Sequence, residues 1–152
     1  MPAPTVRPAR PGETDALLAA YAWLFAAPGS RPAQWDEERA RRTIAEIADA
    51  EDATLLVADP GDGQIAGFCS VSLDLHSVRF GLRAWVEDLA VDPARRSEGL
   101  GKLLLDAAKA WGAERGATHL ELDSGDARTD AHRFYEREQP SWTGRQFAWS
   151  LA

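Results

Sequence analysis

The stretch from residue 83 to residue 116 constrains this chain more than any other. It opens as RAWVEDLAVDP (83–93), an extended run stopped by Pro93, and passes through RRSEGLGKLL (95–104) into a helical pattern. Leu100, Leu103, Leu104, Ala107 and Trp111 recur at i, i+3, i+4, i+7 and i+11, which predicts one apolar helix face, with Gly116 as its natural C-cap. Upstream, ATLLVAD (53–59) and QIAGFCSVSLDL (64–75) flank a Gly-Asp-Gly turn. They predict an antiparallel hairpin, with Ile65, Cys69, Val71, Leu73 and Leu75 sharing a face by alternation. A strand that follows a hairpin and then feeds a helix implies a mixed sheet.

The rest of the chain supplies the layers around that sheet. TVRPA is a short extended start, and GETDALLAAYAWLF is a helix with Thr14 as its expected N-cap and Leu17, Leu18, Tyr21 and Leu24 on one face. PAQWDEERARRTIAEIADA is a second helix, with Trp35, Ala40, Ile44 and Ile47 in step. THLELD is a strand, ARTDAHRFYERE is a helix turning Ala131, Phe134 and Tyr135 inward, and GRQFAWSL is a closing strand. The expected order is β-α-α-β-β-β-α-β-α-β, with one further short strand near Ser141. This is an α/β (α+β) fold, a mixed sheet covered by helices on both faces. At 152 residues the chain fits a single domain, 1–152.

Composition removes several classes of function. No apolar run approaches the ~20 residues of a membrane span, and MPAPTVRPAR has no secretory apolar core. Cys69 is the only cysteine, which agrees with a reducing, cytoplasmic setting. It sits among apolar strand residues, so a buried, inert thiol is expected. The net charge of −7 and the scattered arginines argue against a nucleic-acid partner and weakly favour a cationic substrate. His119 and His132 are spaced for no metal site.

The two glycines before the helix admit three ligand readings. A P-loop needs a glycine where Arg96 stands and a hydroxyl where Leu103 stands. A dinucleotide fingerprint needs a third glycine where Leu104 stands, and a parallel βαβ start. The third reading is Arg-x-x-Gly-x-Gly (Arg96, Gly99, Gly101) at a helix start, where missing side chains let a pyrophosphate reach backbone N–H groups at the positive helix end. A turn that holds no ligand is the remaining alternative.

The segment WVEDLAVDPARRSEGLGKLLLDAAKAWGAERGATHLELD resembles the acetyl-CoA-binding core of the GCN5-related N-acetyltransferase (GNAT) superfamily. Arg96, Gly99 and Gly101 follow Val91-Asp92-Pro93, as in the family's cofactor motif. SGDARTDAHRFYER resembles its second motif through Ala131, Phe134, Tyr135 and Glu136. VRPARPGETDALLAA resembles its opening strand and helix, so the likeness covers nearly the whole chain. One departure lies after that second motif, where family members often carry Gly-Phe and this chain has Gln139-Pro140.

The resemblance implies a GNAT fold: a mostly antiparallel, six- to seven-stranded sheet splayed in the middle and flanked by about four helices. It implies acetyl-CoA as acetyl donor, with no metal. The pantetheine arm would pair with Leu89, Ala90 and Val91, and the pyrophosphate would rest on the amides from Ser97 through Glu98, Gly99, Leu100 and Gly101 to Lys102, aided by Arg96. Ala131 and Phe134 belong to the cofactor-binding helix motif. Glu87 is the expected base and Tyr135 the expected acid. Asp88 should face away from Glu87 by strand alternation, unless the bulge that the resemblance implies turns the chain. Both carboxylates could instead pair with arginines such as Arg83 or Arg133.

Trp23, Trp85, Asp88 and His76 are candidate acceptor contacts; core packing is the competing role for Trp23 and Trp35. The expected function is direct acetyl transfer to a primary amine of a small cationic molecule, polyamine- or aminoglycoside-like. The alternatives are an acyl-CoA sensor without catalysis and an acetyltransferase of protein N-termini or lysines. A homodimer is the expected assembly.

Overall fold

The computed structural model describes residues 2–151, which divide into two compact units, the first ending at Leu122 and the second beginning at Asp123. In the first unit the strands are β1 (Thr5–Pro8), β2 (Ala53–Asp59), β3 (Gly67–Ser77), β4 (Gly81–Val91) and β5 (His119–Glu121). Among the described residues they form one sheet in the order β1-β2-β3-β4-β5. All neighbours are antiparallel except β4 and β5, which are parallel. The hairpin across 60–66 forms as its turn chemistry requires, with the Asp59 carboxylate accepting from the Gly61 and Gly63 amides at 2.8 and 3.1 Å.

Helices α1 (Thr14–Phe25) and α2 (Glu37–Asp49) cover one face, and α3 (Leu100–Glu114) covers the other. Leu17, Ala20 and Ile44 pack with Leu55, Val57, Phe68 and Ala90. Leu100, Leu104, Ala108 and Trp111 pack with Leu56, Cys69, Val71, Ala84 and Val86 on the opposite side. Strand β2 is therefore buried on both faces, and its near-continuous apolar run follows from that.

Several sequence expectations shift in register. The inward face of α3 is Leu100, Leu104, Leu105, Ala108 and Trp111, while Leu103 is exposed and Ala107 only half-buried. Three leucines (103–105) and two alanines (107–108) on either side of Asp106 leave the 3.6-residue period ambiguous by one position, and contact with the sheet decides it. Helix α2 begins at Glu37, because the Asp36 side chain caps it by accepting from the Arg39 amide at 3.0 Å; Trp35 lies before the helix. Thr14 opens α1 as its first residue, with Glu13 in the N-cap position. Leu75 leaves the buried face of β3 after an irregularity between Leu73 and His76 and is 51% exposed.

In the second unit, α4 (Thr129–Arg137) is followed by Gln139 at φ 56°, a left-handed conformation that glycine adopts most freely. This is the position where the family pattern carries glycine. The expected strand GRQFAWSL does not form, nor does one near Ser141; residues 141–151 have no regular structure. The sheet thus has five strands rather than six or seven among the described residues. A strand needs a partner edge for its backbone groups, and among the described residues of the second unit no strand offers one to residues 144–151. Phe147, Trp149 and Leu151 are 73, 79 and 99% exposed.

Candidate active site

The site grows from how β4 loses its neighbour. Strand β5 pairs only with Arg83, Ala84 and Trp85. From Val86 to Val91, β4 keeps β3 on one edge and has no strand on the other among the described residues. Leu89, Ala90 and Val91, the expected pairing segment, lie on that open edge.

A bulge sits at the fork. Ser70 lies opposite Asp88 and Val71 opposite Val86, so Glu87 is the extra residue. Val86 and Leu89 both pack toward α3, though residues three apart should face opposite ways in a regular strand. The extra residue reconciles them and places Glu87 and Asp88 side by side on the α1/α2 face. The bulge also frees the Asp88 amide from the ladder, and the buried Ser70 hydroxyl accepts it at 3.1 Å.

The two carboxylates have different surroundings. Glu87 is exposed and accepts from the Trp85 indole N–H at 2.6 Å. Trp85 stacks under the Arg83 guanidinium, 4.8 Å from the ring centre. Asp88 accepts from the Tyr21 hydroxyl at 2.7 Å. Burial first, and then the Asp88 charge, push the Tyr21 pKa up, so its hydroxyl stays protonated as a donor. Arg83 binds Asp74 at 2.9 Å and Glu121 at 3.1 Å, and Arg133 bonds Asp130.

The glycine-rich turn follows directly. Pro93–Arg95 form a 3-10 turn, Ser97 stands at φ 79° and Gly99 at φ 76°, and α3 starts at Leu100 without a side-chain cap. The first amides of a helix have no partner inside it. A Cβ built on Gly99 would meet nothing within 4 Å, so the space beside those donors is open. The geometry suits an anion at a helix N-terminus. The Glu98 amide points back to the Arg95 carbonyl at 3.4 Å. Lys102 forms an ion pair with Asp106 at 3.2 Å, while Arg96 is exposed.

Of the remaining expected residues, Trp23 packs half-buried against the α1/α2 core. His76 is exposed and pairs with Leu82, which places it roughly 17 Å along the strand from the bulge at ~3.3 Å per residue. In the second unit Ala131, Phe134 and Tyr135 are half-buried on α4, with the Phe134 and Tyr135 rings 5.1 Å apart. Cys69 is fully buried, and burial pushes its thiol pKa up to about 12, which makes it inert. Sequence reasoning gave Tyr21 and Ser70 no role. Their only signal was Tyr21 on the inward face of the first helix and a serine in a strand otherwise reading as core.

The Acetyltransferase (GNAT) family model matches residues 17–139, and the chain belongs to that family. It is 31% identical over 134 residues to an aminoglycoside N(6')-acetyltransferase type 1 of Stenotrophomonas maltophilia, covering 86% of this chain and 81% of that one. It is 37% identical over 93 residues to a streptothricin acetyltransferase of Streptomyces lavendulae, covering 61% of this chain and 47% of that protein. The chain spans about half the length of several curated relatives it matches (42, 47 and 50%). Its fold matches a solved structure of AAC(6')-Iy with a CoA-containing bisubstrate analogue, with TM-score 0.83, 19% identity and 99% of each chain covered. Among the described residues no helix is long and apolar enough to cross a membrane.

Proposed function

We propose that this protein is an acetyl-CoA-dependent N-acetyltransferase acting on a primary amine of a small cationic molecule, of polyamine or aminoglycoside type. The observation that carries this reading is the unpaired edge of β4 from Val86 to Val91, running into an uncapped helix start at Gly99. An extended amide-bearing arm ending in a diphosphate fits that pair of features. The names of the relatives support the acceptor class, as do the net charge of −7 and two carboxylates on one face of the fork.

When bound, acetyl-CoA supplies an activated thioester carbonyl. The backbone of Leu89, Ala90 and Val91 holds its pantetheine arm, and the amides from Ser97 to Lys102 hold its pyrophosphate beside Arg96. An alkyl ammonium titrates near pH ~10 and has no lone pair, so it must lose a proton before it attacks. Glu87, exposed at the bulge, accepts that proton directly or through water. An amide near Ala90 or Val91 faces the carbonyl oxygen as charge builds. Tyr135 protonates the departing thiolate, a role carried by its Phe134-Tyr135 helix motif.

The reading places the enzyme in the cytoplasm, where its single thiol stays reduced. It works as a homodimer, supported by the exposed alternation of Phe147, Trp149 and Leu151.

Calorimetry at near-physiological salt should detect acetyl-CoA binding, and a thiol-release assay should detect turnover on a panel of small amines. Absence of acetyl-CoA and CoA binding overturns the assignment. Binding without turnover on any amine indicates a sensor, and turnover on peptides alone indicates a protein acetyltransferase. Light scattering after gel filtration should give twice the monomer mass; a monomer at micromolar concentration removes the dimer.

A further inference from the structure

The two carboxylates at the bulge differ in how firmly they are held, and a tyrosine on α1 makes the difference. Tyr21 is wedged among aromatic rings: Phe68 lies 4.7 Å from its ring centre, Trp35 5.8 Å and Phe25 6.0 Å. Phe68 is fully buried, and Phe25 and Trp35 meet edge to face at 4.8 Å. Rings this confined hold the phenol in one orientation. The hydroxyl carries one proton, and that proton goes to Asp88 Oδ2. The backbone of Asp88 is tied as well, through its amide to Ser70. Glu87, by contrast, is exposed and accepts from a tryptophan two residues back on its own strand.

Packing alone would need the ring and not the hydroxyl. A phenol serving the core could equally satisfy itself with a backbone carbonyl or water. Here it crosses from helix to sheet to reach a carboxylate one residue before the segment Leu89–Val91, which the proposed function assigns to the donor's arm. A hydrogen bond given to the charged form of an acid favours that form and fixes its direction.

We propose that Tyr21 is a positioning residue for amine acetylation: it fixes Asp88 as the anchor for the acceptor's ammonium group, leaving Glu87 to take the proton. This inference rests on the acetyltransferase reading above.

The test is Tyr21→Phe, which keeps the ring and removes the proton. With acetyl-CoA saturating and an amine that the wild type acetylates, KM for the amine should rise about tenfold, the scale of one hydrogen bond to a charged group. The kcat and the KM for acetyl-CoA should stay within about twofold. The acidic limb of kcat/KM for the amine should move to higher pH, because Asp88 loses the donor that favours its ionised form. Asp88→Asn should raise amine KM at least as much, and the double variant should be no worse than Asp88→Asn alone.

Fluorotyrosine at position 21 is a second variant that keeps the hydroxyl and strengthens it as a donor, and it should move the acidic limb to lower pH. That variant decides the matter if Tyr21→Phe fails to fold. An unchanged amine KM, an equal loss in both KM values and kcat, additive effects in the double variant, or an unmoved limb with fluorotyrosine each overturns the inference and leaves the acetyltransferase reading standing. A wild type that binds acetyl-CoA and acetylates no amine overturns both.

Discussion

Gly99 and Gly116 stand at the two ends of α3 in nearly the same conformation, φ 76° and φ 87°, and an added Cβ would meet nothing within 4 Å at either. Replacing each with alanine therefore imposes the same penalty on the fold and no steric clash. The left-handed backbone costs an L-residue about 1–2 kcal/mol. Lower chain entropy in the unfolded state returns about 0.4–1 kcal/mol. The net loss of about 1 kcal/mol corresponds to a fall in Tm of about 2–4 °C for a chain of this size. Both variants should melt lower by that amount in differential scanning calorimetry. Their acetyl-CoA affinities should diverge. At Gly99 the new methyl group fills the open space beside the helix-start amides, and losing one hydrogen bond to a charged group weakens binding about 10- to 100-fold. At Gly116, on the far end of the helix, Kd for acetyl-CoA should not change. If titration calorimetry gives the two variants equal affinities, the anion does not rest at Gly99 and the reasoning fails.

Three further outcomes follow from the same geometry. Glu87→Gln should depress turnover most at lower pH, where more of the acceptor is protonated; a parallel fall at every pH would mean that Glu87 positions rather than accepts a proton. Tyr135→Phe should slow turnover while leaving acetyl-CoA affinity nearly intact, and unchanged turnover would remove Tyr135 from the chemistry. Glu13 receives two hydrogen bonds from Arg7, at 2.8 and 3.0 Å, and these, foremost, hold its pKa below the ordinary glutamate value of 4.5. A depressed native pKa gives stability that is present in full above the unfolded value and lost as pH falls through the native one. Glu13→Gln should therefore cost about 1–3 kcal/mol at pH 7, as expected for hydrogen bonds to a charged group. Its denaturation midpoint should converge on that of the wild type as acid protonates the native carboxyl; a gap that does not narrow as pH falls would refute the ionic account.

Local signals carried much of this protein. The turn at 60–64, the proline after β4, the glycines before α3 and the amphipathic periods of α1 and α2 each act over a few residues, so their elements were readable along the chain. The resemblance to GNAT enzymes likewise rested on short ordered motifs and was sufficient to name the family. Which leucines of α3 face the sheet was not readable, because adjacent apolar residues satisfy two helical faces and only contact with β3 and β4 selects one.

The end of the chain was misjudged for a related reason. GRQFAWSL has the composition of a strand, but strand formation requires a second backbone to bond, and propensity does not supply one. Alternation alone placed Glu87 and Asp88 on opposite faces; the bulge that the resemblance to GNAT enzymes implied is present in the pairing of β4 with β3, and its extra residue sets them side by side. Tyr21 and Asp88 lie 67 positions apart and meet only because α1 folds across the sheet. Sequence by itself determined most of the elements, the family and the glycine turn that starts α3, because those depend on neighbours in the chain. Tertiary structure decided which carboxylate is anchored and which is exposed, because that depends on register and on contacts between segments distant in sequence.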